Sequence, residues 1–116
     1  MPRTNIFDMK LNKIYPLLRD KVTNKNRSED ELKTVIYWML GYDEVTLNNQ
    51  FNNDVTYKEF FENAPKLNPN CKLITGTICK IKVEEIEDPL LQKIRWLDKL
   101  VDELAKGKSM EKILRS

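Results

Sequence analysis

The chain has 116 residues, of which 41% are hydrophobic and 33% charged, with a net charge of +2; this suits one domain spanning residues 1–116 with its own core and excludes a disordered, charge-dominated polymer. It contains no histidine, which removes the commonest general base, the commonest metal ligand and every Ser-His or Cys-His nucleophile pair. The longest apolar run, Val35 to Leu40, is far short of the roughly 18 to 20 residues that cross a bilayer, and polar residues between Thr4 and Lys10 interrupt any export signal, so a cytoplasmic protein is expected.

Along residues 6–22 the apolar positions Phe7, Leu11, Ile14, Leu18 and Val22 recur every three or four residues, as on one face of a helix. Pro16 lacks a backbone donor and disfavours helical angles at Tyr15, so the segment either kinks or divides into a short helix and a second one starting near Pro16. Ser28 and Glu31 then make a capping box, each side chain placed to satisfy the other's backbone N–H, and the helix that follows buries Leu32, Val35, Ile36, Met39 and Leu40 before ending at Gly41. A short helix from Thr46 to Phe51 sets Leu47 and Phe51 one turn apart, and Asn52-Asn53-Asp54 reads as a turn. Thr56 and Glu59 repeat the capping box, with Val55 and Phe60 at staple positions, Tyr57, Phe60, Phe61 and Ala64 as the apolar face, and Pro65 as a stop.

Residues 66–70 read as a loop. From 71 to 87 two periods compete: Cys79 to Glu84 alternates as a strand does, while Ile74, Ile78 and Ile81 fit a helical spacing. With no partner strand in evidence elsewhere, helix or irregular structure is favoured, and one short strand pair stays open. The last forty residues are clearer. Asp88 caps, Pro89 takes the first helical position, and Leu90, Ile94, Leu97, Val101 and Leu104, widened by Leu91 and Leu100, form a stripe that ends at Gly107. Asp102 precedes Lys106 by four residues in the favourable ion-pair order. Ser109 opens a final turn with Met110, Ile113 and Leu114. The expected fold is all-α, with about five helices around one core.

Little of this supports chemistry. Cys71 and Cys79 are expected to be reduced thiols, and without histidine or further cysteine they cannot close a zinc site. Cys79 reads as a small buried hydrophobe rather than a nucleophile, although Lys80 and Lys82 are near in sequence. Among Glu84, Glu85, Glu87 and Asp88, the last is a cap and the others gain from a helix dipole, so paired-carboxylate catalysis is disfavoured. No phosphate loop or dinucleotide motif is present, and no cofactor is expected. Val35 to Gln50 imitates a helix-turn-helix with Thr46, Asn48, Asn49 and Gln50 as base readers, but Tyr37 stands where a small residue is required and the second helix has no cation for phosphates.

Charge is uneven along the chain, at +5 over residues 1–27, −5 over 28–67 and +2 over 68–116. Lys10, Lys13, Arg19, Lys21, Lys25 and Arg27 could therefore hold an anionic partner such as a nucleic acid, although solvated surfaces that pair with one another are the plainer reading. Trp38, Tyr42, Tyr57, Phe60 and Phe61 read as core. Trp96 lies off the main stripe and, with Tyr42, is a candidate contact for a partner protein. Ile94, Leu97, Val101 and Leu104 follow an a/d pattern, for which an intrachain core is favoured over a dimer seam.

Several segments taken together carry a resemblance: Trp38 to Asp43, Phe60 to Pro65, Leu67 to Asn70, Leu73 to Gly76, Val83 to Leu90 and Leu97 to Lys108. Over nearly its whole length the chain resembles the prokaryotic domain-of-unknown-function family 2200. The resemblance implies a small stand-alone bacterial cytosolic protein, supplies no activity, cofactor or site residue, and implies a glycine where this chain has Lys80. The expected function is a non-enzymatic module that binds another protein or itself. A nucleic-acid-associated factor using the basic N-terminal segment is the alternative, and an enzyme with an unrecognised carboxylate or thiol site the second. No membrane or metal partner is expected.

Overall fold

The computed structural model describes residues 6–78 and 80–114. Among them are six α-helices: α1 (Leu11–Thr23), α2 (Glu29–Leu40), α3 (Glu44–Asn52), α4 (Tyr57–Glu62), α5 (Pro89–Ala105) and α6 (Met110–Ile113). A minimal antiparallel hairpin, β1 (Thr77–Ile78) and β2 (Ile81–Lys82), pairs Thr77 with Lys82 and Ile78 with Ile81. Three short 3-10 turns cover Ile6–Asp8, Pro69–Leu73 and Val83–Glu85.

The capping boxes explain where the helices begin. Ser28 and Thr56 each accept from the N–H three residues on and receive Glu31 or Glu59 in return. Asp43 does the same with Thr46, so α3 starts two residues earlier than the apolar spacing alone indicates. Asp88 Oδ1 accepts from the N–H groups of Leu90 and Leu91 at 3.0 and 3.4 Å, and Pro89 follows as expected. Ser109 occupies the cap position of α6, but its side chain makes no capping bond.

Pro16 neither starts nor stops a helix; it lies inside α1. The break comes at residues 9–11 because these pair with the entry to α4. The Leu11 N–H donates to Val55 C=O at 2.9 Å and the Tyr57 N–H to Met9 C=O at 2.7 Å. Such a bridge is a tertiary bond, and local spacing carries no trace of it. Over residues 71–87 the helical alternative is not realised: Ile74 is buried while Ile81 is 44% exposed, so the two do not share a face. The short strand pair forms instead.

One hydrophobic cluster joins all the long helices. α5 is its axis and packs against α1, α2, α4, α6, β1 and the turn Val83–Glu85. Ile94, Leu97, Leu100, Val101 and Leu104 are fully buried, at about 1.5 to 3 kcal/mol each before entropy is subtracted. Tyr42, Tyr57, Phe60 and Phe61 form an aromatic block, with Tyr42 stacked on Phe60 at 5.0 Å between centroids. No helix among the described residues is long and apolar enough to cross a membrane.

Candidate functional site

Burial of Leu32, Val35, Ile36, Met39 and Leu40 fixes the rotation of α2, and the opposite positions then face outward. Asp30 and Thr34 are exposed, while Lys33, Tyr37 and Trp38 are half-buried. Tyr37 and Trp38 are successive residues, about 100° apart around the helix, and each walls its own shallow hollow. The hollow beside Tyr37, of about 310 Å³, is completed by Asp30, Lys33, Thr34 and Glu44. The one beside Trp38, of about 240 Å³, is completed by Gly41, Lys66, Asn68 and Pro69.

The far wall of the Trp38 hollow is pinned by backbone. The Lys66 N–H donates to Leu40 C=O at 3.1 Å and the Asn68 N–H to Met39 C=O at 2.8 Å, while Asn68 Nδ2 donates to Trp38 C=O at 3.2 Å. These bonds satisfy the orphan carbonyls at the end of α2. They also bring Lys66 so close to Gly41 that a Cβ there would stand 2.8 Å from both its N and its O, and Gly41 has φ +79° as well. Only glycine fits. Trp38 to Asp43 and Leu67 to Asn70, two of the segments on which the family resemblance rests, are thus the two walls of one hollow.

The partner residues read from sequence lie elsewhere. Trp96 is only 7% exposed and Tyr42 only 3%, which corrects the reading that left them open to a partner. α5 is enclosed on so many sides that a residue off its main stripe is still covered, and the Tyr42 hydroxyl donates to Phe60 C=O at 2.5 Å beneath the stacked rings. Conversely Trp38, read as core, is the half-open tryptophan. Nothing in the periodicity distinguishes the two; the difference is which helix sits centrally.

The basic N-terminal residues are dispersed. Lys10 pairs with Asp54 at 3.6 Å, Arg19 with Asp20 at 3.6 Å and Lys21 with Asp102 at 3.6 Å. Arg27 is a clamp. Its Nη2 and Nε grip Glu31, and its Nη1 donates to Leu104 C=O at 3.2 Å and Lys108 C=O at 2.7 Å, closing the end of α5. All three of its guanidinium nitrogens are engaged within the chain, which corrects its reading as an open anion ligand. Lys13 and Lys25 remain exposed. A third hollow, of about 380 Å³, lies at the same end of α5 and is lined by Lys99, Asp102, Glu103, Lys106, Gly107 and Lys108. Its charges pair internally, Lys106 with Asp102 at 3.0 Å and Lys108 with Glu103 at 3.7 Å. Burial raises the Asp102 carboxyl, but Lys106, Lys21 and Lys99 together outweigh it and hold the group low.

Groups suited to catalysis are drawn into the scaffold. Glu84 Oε2 accepts from the Gly76 N–H at 3.1 Å, and backbone hydrogen bonds hold its carboxyl low. Burial pushes the Cys71 thiol up to about 11, leaving it protonated near neutrality. Cys79, with the readings placed on it, lies outside the described residues. Burial also raises Asp98, against the pull of Arg95 Nη1 at 2.9 Å. Nearby, the wholly buried Tyr57 hydroxyl has no hydrogen-bond partner among the described residues, and burial raises it well above its usual range. Among the described residues no three Cys, Asp or Glu side chains converge to hold a metal. Of the helix-turn-helix readers, Thr46 is spent on the cap with Asp43 and Gln50 accepts from Asn63.

The family described as "Uncharacterized protein conserved in bacteria (DUF2200)" matches residues 5–115. Among solved structures, the chain is similar to one titled "Crystal structure of uncharacterized protein SP1917", at 41% identity and a TM-score of 0.90, over 97% of this chain and 93% of that one. No curated protein matches.

Proposed function

The chain belongs to the DUF2200 family of uncharacterised bacterial proteins, and from that premise we propose that it is a non-enzymatic protein-binding module whose docking surface is the outer face of α2. The observation that carries this reading is the pair of partly exposed aromatics, Tyr37 and Trp38, each packed against the core at its base and beside a hollow. Large aromatics on a rigid element are the side chains that protein interfaces use as anchors, because they bury much area at little entropic cost. Val45, 68% exposed in the first turn of α3, follows Glu44 at the edge of the Tyr37 hollow and adds apolar surface. Self-association is the other form of the same reading, and a cytoplasmic setting goes with both.

The nucleic-acid alternative has less support, since four of its six cations make ion pairs within the chain. An enzyme built on carboxylates or the Cys71 thiol has less still, because those groups serve caps, ion pairs and core. The test is affinity capture from the protein's own cells, with the double variant Tyr37→Ala/Trp38→Ala as control and light scattering on the purified chain. Retention of a defined protein, or a dimer, that is lost in a variant of unchanged thermal midpoint is the expected result. Equal retention by the variant removes this surface, and a monomer that retains nothing removes the module.

A further inference from the structure

The acid surplus of residues 28–67 is not spread evenly once the chain is folded. Glu29 accepts from the Tyr15 hydroxyl at 2.7 Å, Glu31 is held by Arg27, and Asp54 pairs with Lys10. Asp43 and Glu59 are spent on capping boxes. Asp30, Glu44 and Glu62 are left with no side-chain partner among the described residues, and the first two are exposed on the rim of the Tyr37 hollow. Lys33 is the cation of that hollow and offsets one of the two charges. On the other side of the same ridge the balance reverses: the rim of the Trp38 hollow holds Lys66 and no acid, with Pro69 and the indole as its apolar surface.

From this placement we propose that the outer face of α2 docks a segment of a partner protein that is basic and apolar together. A Lys or Arg side chain lies against Tyr37 between Asp30 and Glu44, and an apolar side chain lies against Trp38. The inference rests on the protein-binding reading of this face and adds the chemistry of the partner. The aromatic ring beside two carboxylates favours a cation through both charge and ring quadrupole. Lys66 excludes a second cation from the Trp38 side, which sets the order of the two contacts. Because Tyr37 and Trp38 are at nearly the same height on the helix, rising about 1.5 Å per residue, the segment crosses α2 instead of running along it. The Tyr37 hollow, with two carboxylates against one lysine, draws a cation and repels phosphate.

The test uses two capped synthetic peptides of equal length, one alternating leucine with arginine and one alternating leucine with glutamate, titrated into the full chain. The chain has two tryptophans, and since Trp96 is buried, a blue shift of emission reports on Trp38, with Trp38→Phe as the control that abolishes it. The expected result is saturable binding of the arginine peptide alone, weakened at least tenfold in Asp30→Lys/Glu44→Lys. Equal binding of both peptides, lost in Tyr37→Ala, which keeps the reporter, keeps the docking face but overturns the basic partner. Arginine-peptide binding that is unchanged in the charge-reversed variant overturns the proposed site, and silence of Trp38 towards both peptides overturns the site and the reading it rests on.

Discussion

α5 and the segment 66–86 pack against one another, yet they keep their shapes by different means. α5 does so by burial: Ile94, Leu97, Leu100, Val101 and Leu104 are all fully enclosed, and the backbone conformation follows from where those side chains must go. The segment 66–86 has few such anchors, chiefly Cys71, Ile74 and Val83, and is held instead by hydrogen bonds that reach across to its neighbours. Lys66 and Asn68 bond to the end of α2, the Val83 N–H donates to Gly76 C=O at 3.0 Å, and Gln92 Nε2 donates to Val83 C=O at 3.1 Å. A region held by packing is sensitive to the polarity of a few side chains, whereas a region held by backbone bonds is sensitive to the few residues that set its dihedral angles.

The largest effect is expected in the packed region. Leu97→Asp places a carboxylate where the side chain is 0% exposed, with no cation provided for it, and the variant should not fold. A cooperative urea transition near the wild-type midpoint would show that α5 is not central. Next comes Gly41→Ala, at the seam where the second region is attached. The positive φ and the 2.8 Å approach to Lys66 backbone together should cost on the order of 3 kcal/mol, read as a lower urea midpoint at unchanged slope.

Arg27→Met, at the end of α5, should cost about 2 kcal/mol and should also change the response to acid. The Arg27 hydrogen bond, then the Ser28 backbone, hold the Glu31 carboxyl down from 4.5 to about 2. A depressed carboxyl stabilises the fold above its unfolded value, and that contribution drains away as the pH falls from 4.5 towards 2. The wild type should therefore lose more stability across that window than Arg27→Met, as thermal midpoints at successive pH values would reveal. A parallel loss in both would remove the ion pair from the account. The smallest effect is a gain: Lys80 stands at φ +66° in the hairpin turn, and Lys80→Gly should stabilise by about 1 kcal/mol. A loss there would mean that the lysine side chain compensates for its own strain.

Helix starts were legible because capping is local. Ser28 with Glu31, Thr56 with Glu59, and Asp88 with Leu90 and Leu91 each write a side-chain-to-backbone bond within four residues of sequence. The hidden parts depend on distant neighbours. Met9 and Leu11 take their backbone partners from the entry to α4, which no window around Pro16 contains. The strands at Thr77–Ile78 and Ile81–Lys82 are too short for alternation to outweigh a rival helical spacing. For the candidate site, the stripe of α2 showed which positions face inward, but which tryptophan stays open depended on α5 being central. The hollow beside Trp38 required Lys66 and Asn68 to fold back on Leu40 and Met39, and there the only local sign was the family resemblance at both segments.

The Arg27 clamp has a consequence for how the molecule comes apart. One guanidinium grips the carbonyls of Leu104 and Lys108 while holding Glu31 at the head of α2, so groups more than seventy positions apart along the polypeptide share a single latch. The last turn of α5 therefore has no independent route to fraying. Opening it breaks bonds that also hold the loop between α1 and α2, which couples the two at this pole of the globule.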